Sequence, residues 1–126
     1  LAQRHSVDWL MKTGPDLLLH GDCEGVDEMF HLVARRLNVP VHIFPPIIDR
    51  YRAFCQGAEK VYPCDTYLAR NAHIVAEADV LVAIPEGREK DYPRSGTWAT
   101  VRRARKHGIP IYIIAQDGGI YPDAPS

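Results

Sequence analysis

The stretch Leu17-Leu18-Leu19-His20-Gly21-Asp22-Cys23-Glu24-Gly25-Val26-Asp27 reads as a strand, a glycine loop and the first turn of a helix, in that order. Its leucine run follows the Gly14-Pro15 break and suits a buried strand. Beyond the loop, Val26, Met29, Phe30, Val33, Ala34 and Leu37 recur at i, i+3, i+4, i+7, i+8 and i+11, which is one face of a helix, and Asn38 is placed to end it. Glycines let a backbone approach a ligand closely, while the free amides and positive dipole end of the following helix attract anions. Such a loop is an ordinary corner of an α/β protein and equally a phosphate cradle. Aspartates 22 and 27 also favour a helix N-terminus electrostatically.

Working outward, the same pattern appears again. The apolar run Val80-Leu81-Val82-Ala83-Ile84 leads into Pro85-Glu86-Gly87, and Ser95-Gly96-Thr97 opens a helix marked by Thr97, Val101 and Ala104 and stopped by Gly108. A run that is apolar throughout suggests a parallel strand buried on both faces. Arg70-Asn71 lie between the two loops, near the start of a helix marked by Leu68, Ala72, Val75 and Ala76. Val41 to Phe44, before Pro45-Pro46, and Ile111 to Ile114 complete a set of four expected strands. Strands alternating with helices imply right-handed crossovers and ligand binding at the carboxyl ends of the strands. The expected fold is therefore α/β, a Rossmann-like three-layer sandwich with a mainly parallel sheet, in a single nucleotide-binding domain over residues 1–126. The chain opens on a helix, Leu1 to Lys12, where such a fold normally opens on a strand, so a first strand and its loop are expected upstream. Residues 45–65 lack periodicity and read as a functional excursion or a poorly ordered flap. From Gln116 the chain reads as a frayed end.

Composition narrows the partners. With 15 Lys and Arg against 16 Asp and Glu, the overall charge gives no support for non-specific binding to nucleic acid or an anionic membrane. No apolar run is long enough to span a bilayer, and a cytoplasmic location is expected. Cys23, Cys55 and Cys64 are odd in number and lack CxxC spacing, and His20, His42 and His73 lack a metal-ligand spacing. Neither a metal nor another cofactor is expected. Cys23 lies in a glycine loop at a helix start, but no general base is placed for it by the sequence.

The segments His20-Gly21 to Gly25-Val26-Asp27, Arg70-Asn71, Ala78-Asp79 to Pro85-Glu86-Gly87, and Ser95-Gly96-Thr97-Trp98 carry a resemblance. From Leu17 to Ile114 the chain resembles the SLOG superfamily of Rossmann-like proteins, which includes the Lonely Guy phosphoribohydrolases, the DNA-processing protein A family and small nucleotide-binding domains of bacteria and phages. It is most like the small bacterial and phage members. Lonely Guy enzymes pair an arginine ahead of the last long strand with a loop of the form PGGxGTxxE, whose glutamate supports cleavage of a nucleotide's N-glycosidic bond. Arg70 matches that arginine in position. Thr100 stands where the glutamate would be, and the charged insertion Arg88 to Arg94 splits the loop. The resemblance implies a nucleotide-type ligand, and a homodimer with a surface near Trp98.

The ligand-binding candidates are accordingly Gly21, Asp22, Gly25, Asp27, Arg70, Asn71, Pro85, Gly87, Ser95, Gly96 and Thr97. Ser95 reads as a helix N-cap that would equally cradle an oxyanion. Arg70 offers a forked, permanently charged donor to phosphate. The segment Glu86 to Arg94 reads as a lid that brings Glu86 or Glu89 and Arg88 or Arg94 over a bound ligand, or as a solvated loop. Three functions fit: a sensor or sequestering module for a nucleotide; a nucleotide N-glycosidic hydrolase in which Glu86 or Glu89 replaces the missing glutamate; and a DNA-processing partner that binds single strands, against which the neutral charge counts. The first is favoured. Arg102, Arg103, Arg105, Lys106 and His107 suit a last helical turn without any partner.

Overall fold

The computed structural model describes residues 2–123. Among these the chain forms a mixed α/β structure of four helices and two small sheets. In chain order the elements are α1 (Ala2–Thr13), β1 (Leu18–His20), α2 (Val26–Arg36), β2 (Val41–Ile43), β3 (Lys60–Val61), α3 (Tyr67–Glu77), β4 (Leu81–Ala83), α4 (Gly96–His107), β5 (Ile111–Ile114) and β6 (Ile120–Pro122). The chain divides into two compact units, Val7–Ile74 and a second that joins Leu1–Ser6 to Val75–Ser126.

In the unit Val7–Ile74, β1, β2 and β3 form a parallel sheet in that order, with Leu18 opposite Val41 and His42 opposite Lys60. Helix α2 buries Phe30, His31, Val33 and Ala34, three of them from the apolar stripe read in the sequence. Asp27 and Glu28 in its first turn, and Arg35 and Arg36 in its last, match the helix dipole. Asn38 follows with a left-handed φ of 58°, the conformation that ends helices. Two buried prolines, Pro45 and Pro46, carry the chain out of β2.

The segment 45–65 is tied down along its length. Its strand β3 pairs with β2, and Glu59 returns to the start of β2, accepting from the Val41 amide at 2.8 Å and taking both Arg35 terminal nitrogens at 2.8 and 3.1 Å. A two-residue strand has no alternation to read, which is why β3 was invisible in the sequence.

In the second unit, β4 and β5 run parallel and β6 returns antiparallel, so the sheet is mixed, in the order β4-β5-β6. Its core joins Val75, Ala83, Trp98, Val101, Ala104 and Ile111, with Leu81, Ile109 and Ile113 packed against them. Ser95 caps α4 by accepting from the Trp98 amide, and Gly108 closes it at a φ of 81°. At the start of α1, Gln3 donates to the Ala115 carbonyl at 3.3 Å and Ser6 donates to the Gly118 carbonyl.

Three sequence expectations need correction. The stretch from Gln116 is no frayed end over its described part: a turn at Asp117-Gly118 returns the chain as β6, and residues 124–126 lie outside the described residues. The four expected strands are six, in two three-stranded sheets of which only the first is wholly parallel. And the run Val80 to Ile84 is not buried throughout: Val80, just before β4, is 48% exposed and Leu81 and Val82 are half-buried, while Ala83 and Ile84 are buried. Among the described residues no helix is long and apolar enough to cross a membrane.

Candidate functional site

The first glycine loop is built around three charged side chains. Gly21 is required by a close approach: a Cβ there would lie 2.0 Å from Nη1 of Arg70. That guanidinium is 6% exposed; Nη1 donates to the Gly21 carbonyl and at 3.4 Å to the Phe44 carbonyl, and both terminal nitrogens lie 3.7–3.8 Å from Sγ of Cys23. Its Nε is buried with no hydrogen-bond partner among the described residues, and the Tyr67 ring lies 5.3 Å away. Asn71, beside it in sequence, is half-buried. Arg70 therefore holds the loop from within through Nη1.

Asp27 takes the place a bound anion would have at the loop amides. Its Oδ2 accepts from the Gly21 amide at 3.2 Å and the Cys23 amide at 3.1 Å. Gly25 caps α2 at a φ of 90° with no side-chain hydrogen bond, and a Cβ on it would meet nothing.

Asp22, 1% exposed and at a φ of 59°, fastens residues 49–57 onto this loop. Its carboxylate accepts from Arg52 Nε at 2.8 Å and the Cys55 amide at 2.9 Å, and its carbonyl accepts from the Ala53 amide at 2.7 Å. Burial pushes the Asp22 carboxyl up, but the Arg52 and Cys55 hydrogen bonds outweigh it and leave the group below its ordinary value. Asp22 thus ties the first glycine loop to the segment that carries Arg52, Ala53 and Cys55.

Behind the loop lies a pairing that the sequence did not signal. His20 at the end of β1 and His31 on α2 face each other edge-on, Nε2 to Nδ1 at 2.9 Å. The Asp22 amide donates to His20 Nδ1 at 2.9 Å, so His20 carries its proton on Nε2 and passes it towards His31, whose Nε2 then donates to the Gln56 carbonyl at 2.7 Å. Burial is the main reason that His20 is brought down to about 4, against the pull of the Asp27 carboxylate. Cys55 closes the group, its thiol pushed up to about 12 first by burial and then by its hydrogen bond to Asp22. Burial and Asp27 also raise Cys23, so neither thiol is activated. Spacings of 11 and 24 residues match no ligand motif, and only the fold brings these three together.

The second glycine loop is open. Glu86, Tyr92, Pro93, Arg94, Ser95 and Thr97 line a cleft of about 570 Å³ at the start of α4. A Cβ on Gly96 would meet nothing, so space remains in front of the helix N-terminus. Pro85 is buried beneath, and the Tyr92 ring packs where a Cβ on Gly87 would sit, 2.4 Å from that position. The Gly87 carbonyl accepts from Trp98 Nε1 at 2.9 Å, which anchors the loop to the core. Insertion 88–94 is held by turns: Arg88 accepts from the Asp91 amide at 2.9 Å, and Tyr92 from the Ser95 amide at 3.1 Å. Of the two carboxylate candidates, Glu86 lines the cleft, whereas Glu89 is engaged by Arg102 at 3.1 Å and Arg105 at 2.8 Å. Arg105 first and Arg102 second hold Glu89 below its ordinary value, so its carboxylate is already paired with two cations. Thr100 donates back to the Gly96 carbonyl at 2.9 Å.

Compared with protein-family models, curated proteins and solved structures, the chain finds no match in any of the three.

Proposed function

We propose that this chain is a Rossmann-like binding module for a nucleotide or nucleotide-derived small molecule, with the phosphate seated at the start of α4 and the remainder of the ligand in the adjoining cleft. One observation carries the reading: the cleft at Ser95–Thr97 joins an open helix N-terminus to an arginine, an aromatic ring and a carboxylate. Helix amides with the Ser95 and Thr97 hydroxyls suit phosphate oxygens, Arg94 supplies permanent charge, the Tyr92 ring offers a stacking face, and Glu86 suits ribose hydroxyls. The volume of about 570 Å³ lies within the range of small-molecule sites, about 300–1,000 Å³. The first loop, whose amides are already met by Asp27, supports the unit that carries it.

A thermal-shift screen with nucleoside mono-, di- and triphosphates tests this. A ligand at 100 times its dissociation constant stabilises a protein by about 2.7 kcal/mol, and Arg94→Ala is expected to abolish the shift given by the best nucleotide. If no nucleotide raises the melting temperature, the reading fails.

A hydrolytic reading has one observation in its favour, the Glu86 carboxylate in the same cleft. It requires release of free base from a nucleoside monophosphate, and loss of that release in Glu86→Gln with nucleotide binding retained.

A further inference from the structure

We infer that His20, His31 and Cys55 form a binding site for a zinc-class divalent cation, in the unit Val7–Ile74 and independent of the nucleotide cleft. The three donor atoms lie within 4.8 Å of one another, two of them on buried imidazoles fixed by β1 and α2. Two nitrogens and a sulfur suit zinc or cobalt(II) and exclude magnesium and calcium, which require oxygen donors. Tetrahedral zinc with bonds of about 2.0–2.1 Å to nitrogen holds two such nitrogens about 3.3 Å apart. His20 Nε2 and His31 Nδ1, now 2.9 Å apart along a hydrogen bond, must separate by a few tenths of an ångström and turn so that both lone pairs meet at the cation. Three protein ligands would leave the fourth position to water or a small molecule.

The outer partners decide how the site is loaded. His31 is ready: its Nε2 already donates to the Gln56 carbonyl at 2.7 Å, which leaves Nδ1 with a lone pair towards the site, as a metal-bound histidine requires. His20 is set the other way, because the Asp22 amide donates to its Nδ1 and the proton sits on Nε2, where the cation must bind. Turning the Gly21–Asp22 peptide resolves this. The Gly21 carbonyl then faces Nδ1, which takes the ring proton as Nε2 is freed. Glycine tolerates the change in its ψ, and Asp22 leaves its left-handed φ of 59° for the ordinary negative region. His20 keeps its single proton, Cys55 gives its thiol proton to solvent, and nothing is oxidised. The turn also takes the Gly21 carbonyl away from Arg70, so cation binding rearranges the first glycine loop.

The test is a cobalt(II) titration of the chelator-treated protein, followed by displacement with zinc. The inference predicts one cation per chain, a near-ultraviolet thiolate-to-cobalt band and visible bands of a four-coordinate ion. Cys55→Ser should remove the thiolate band and weaken binding by more than the roughly 10- to 100-fold that follows loss of an outer partner, while Cys64→Ser, at an exposed cysteine, changes nothing. Should Cys55→Ser fail to fold, nitrogen shifts of the imidazoles in the parent protein decide: His20 Nδ1 is unprotonated without zinc and protonated with it. Absence of saturable cobalt binding, a thiolate band that survives Cys55→Ser in folded protein, or a His20 Nδ1 that stays unprotonated at zinc saturation would overturn the inference.

Discussion

Two residues that read alike in the sequence are both bonded within the first glycine loop. Arg70 and Asp27 both look like parts of a phosphate cradle, yet each is bonded to the loop itself, the arginine to the Gly21 carbonyl and the aspartate to the Gly21 and Cys23 amides. Removal of a hydrogen bond to a charged group costs about 1.5–3 kcal/mol, so Arg70→Ala is expected to lower stability by that order, read by denaturant unfolding, with nucleotide affinity little changed. A folded Arg70→Ala of parental stability that no longer binds nucleotide would return Arg70 to the ligand. Gly21→Ala should be destabilising for the converse reason, since its methyl would lie 2.0 Å from the same guanidinium. Nothing in the sequence distinguishes a glycine needed for an approaching phosphate from one needed for an approaching arginine. What distinguishes them is the position of Arg70, 49 residues away.

The elements show where sequence patterning carries information. Helices α2 and α4 were legible because their signals are local: an apolar stripe, Ser95 as a cap, Asn38 and Gly108 as stops. Loss of the Ser95 cap in Ser95→Ala is expected to cost about 1 kcal/mol, visible as a lower unfolding midpoint. Strand β3 was missed because it is two residues long and pairs 18 residues away, as His42 with Lys60, and β6 because the Gly, Asp and Pro around it read as a loose tail, although it pairs with the neighbouring β5. The tie of β2 to residues 57–60 likewise rests on Arg35 and Glu59, 24 residues apart. Glu59 has a definite pH signature: the Arg35 hydrogen bonds first, and the Val41 amide second, lower it from 4.5 to about 2. A carboxylate depressed in the folded state adds stability above its ordinary value and loses it as pH falls towards the folded value. The Glu59 contribution is therefore expected to be complete above about pH 5 and to fade between 4.5 and 2. The carboxyl carbon shift of Glu59 should titrate near the lower figure, and a midpoint near 4.5 would show the pair to be open in solution.

At the scale of the molecule, the α/β class was legible from the alternation of apolar runs and helical stripes, while the division into two three-stranded sheets was not. Strand order depends on pairings between segments distant in sequence, about which period and composition are silent. The candidate site followed the same rule. Of the residues read from a local pattern, strand then loop then cap, Glu86, Ser95 and Thr97 line the cleft, and Tyr92, Pro93 and Arg94 of the expected lid line it with them. The central claim is that a nucleotide occupies this cleft and not the first glycine loop. An amide chemical-shift map of the parent protein, titrated with the nucleotide that gives the largest thermal shift, tests it most directly. Saturable changes at Gly87 and Ser95 to Thr97, with Gly21 to Asp27 unmoved, are predicted; changes centred on Gly21 to Asp27 with Gly96 silent, or none at either loop, would contradict it.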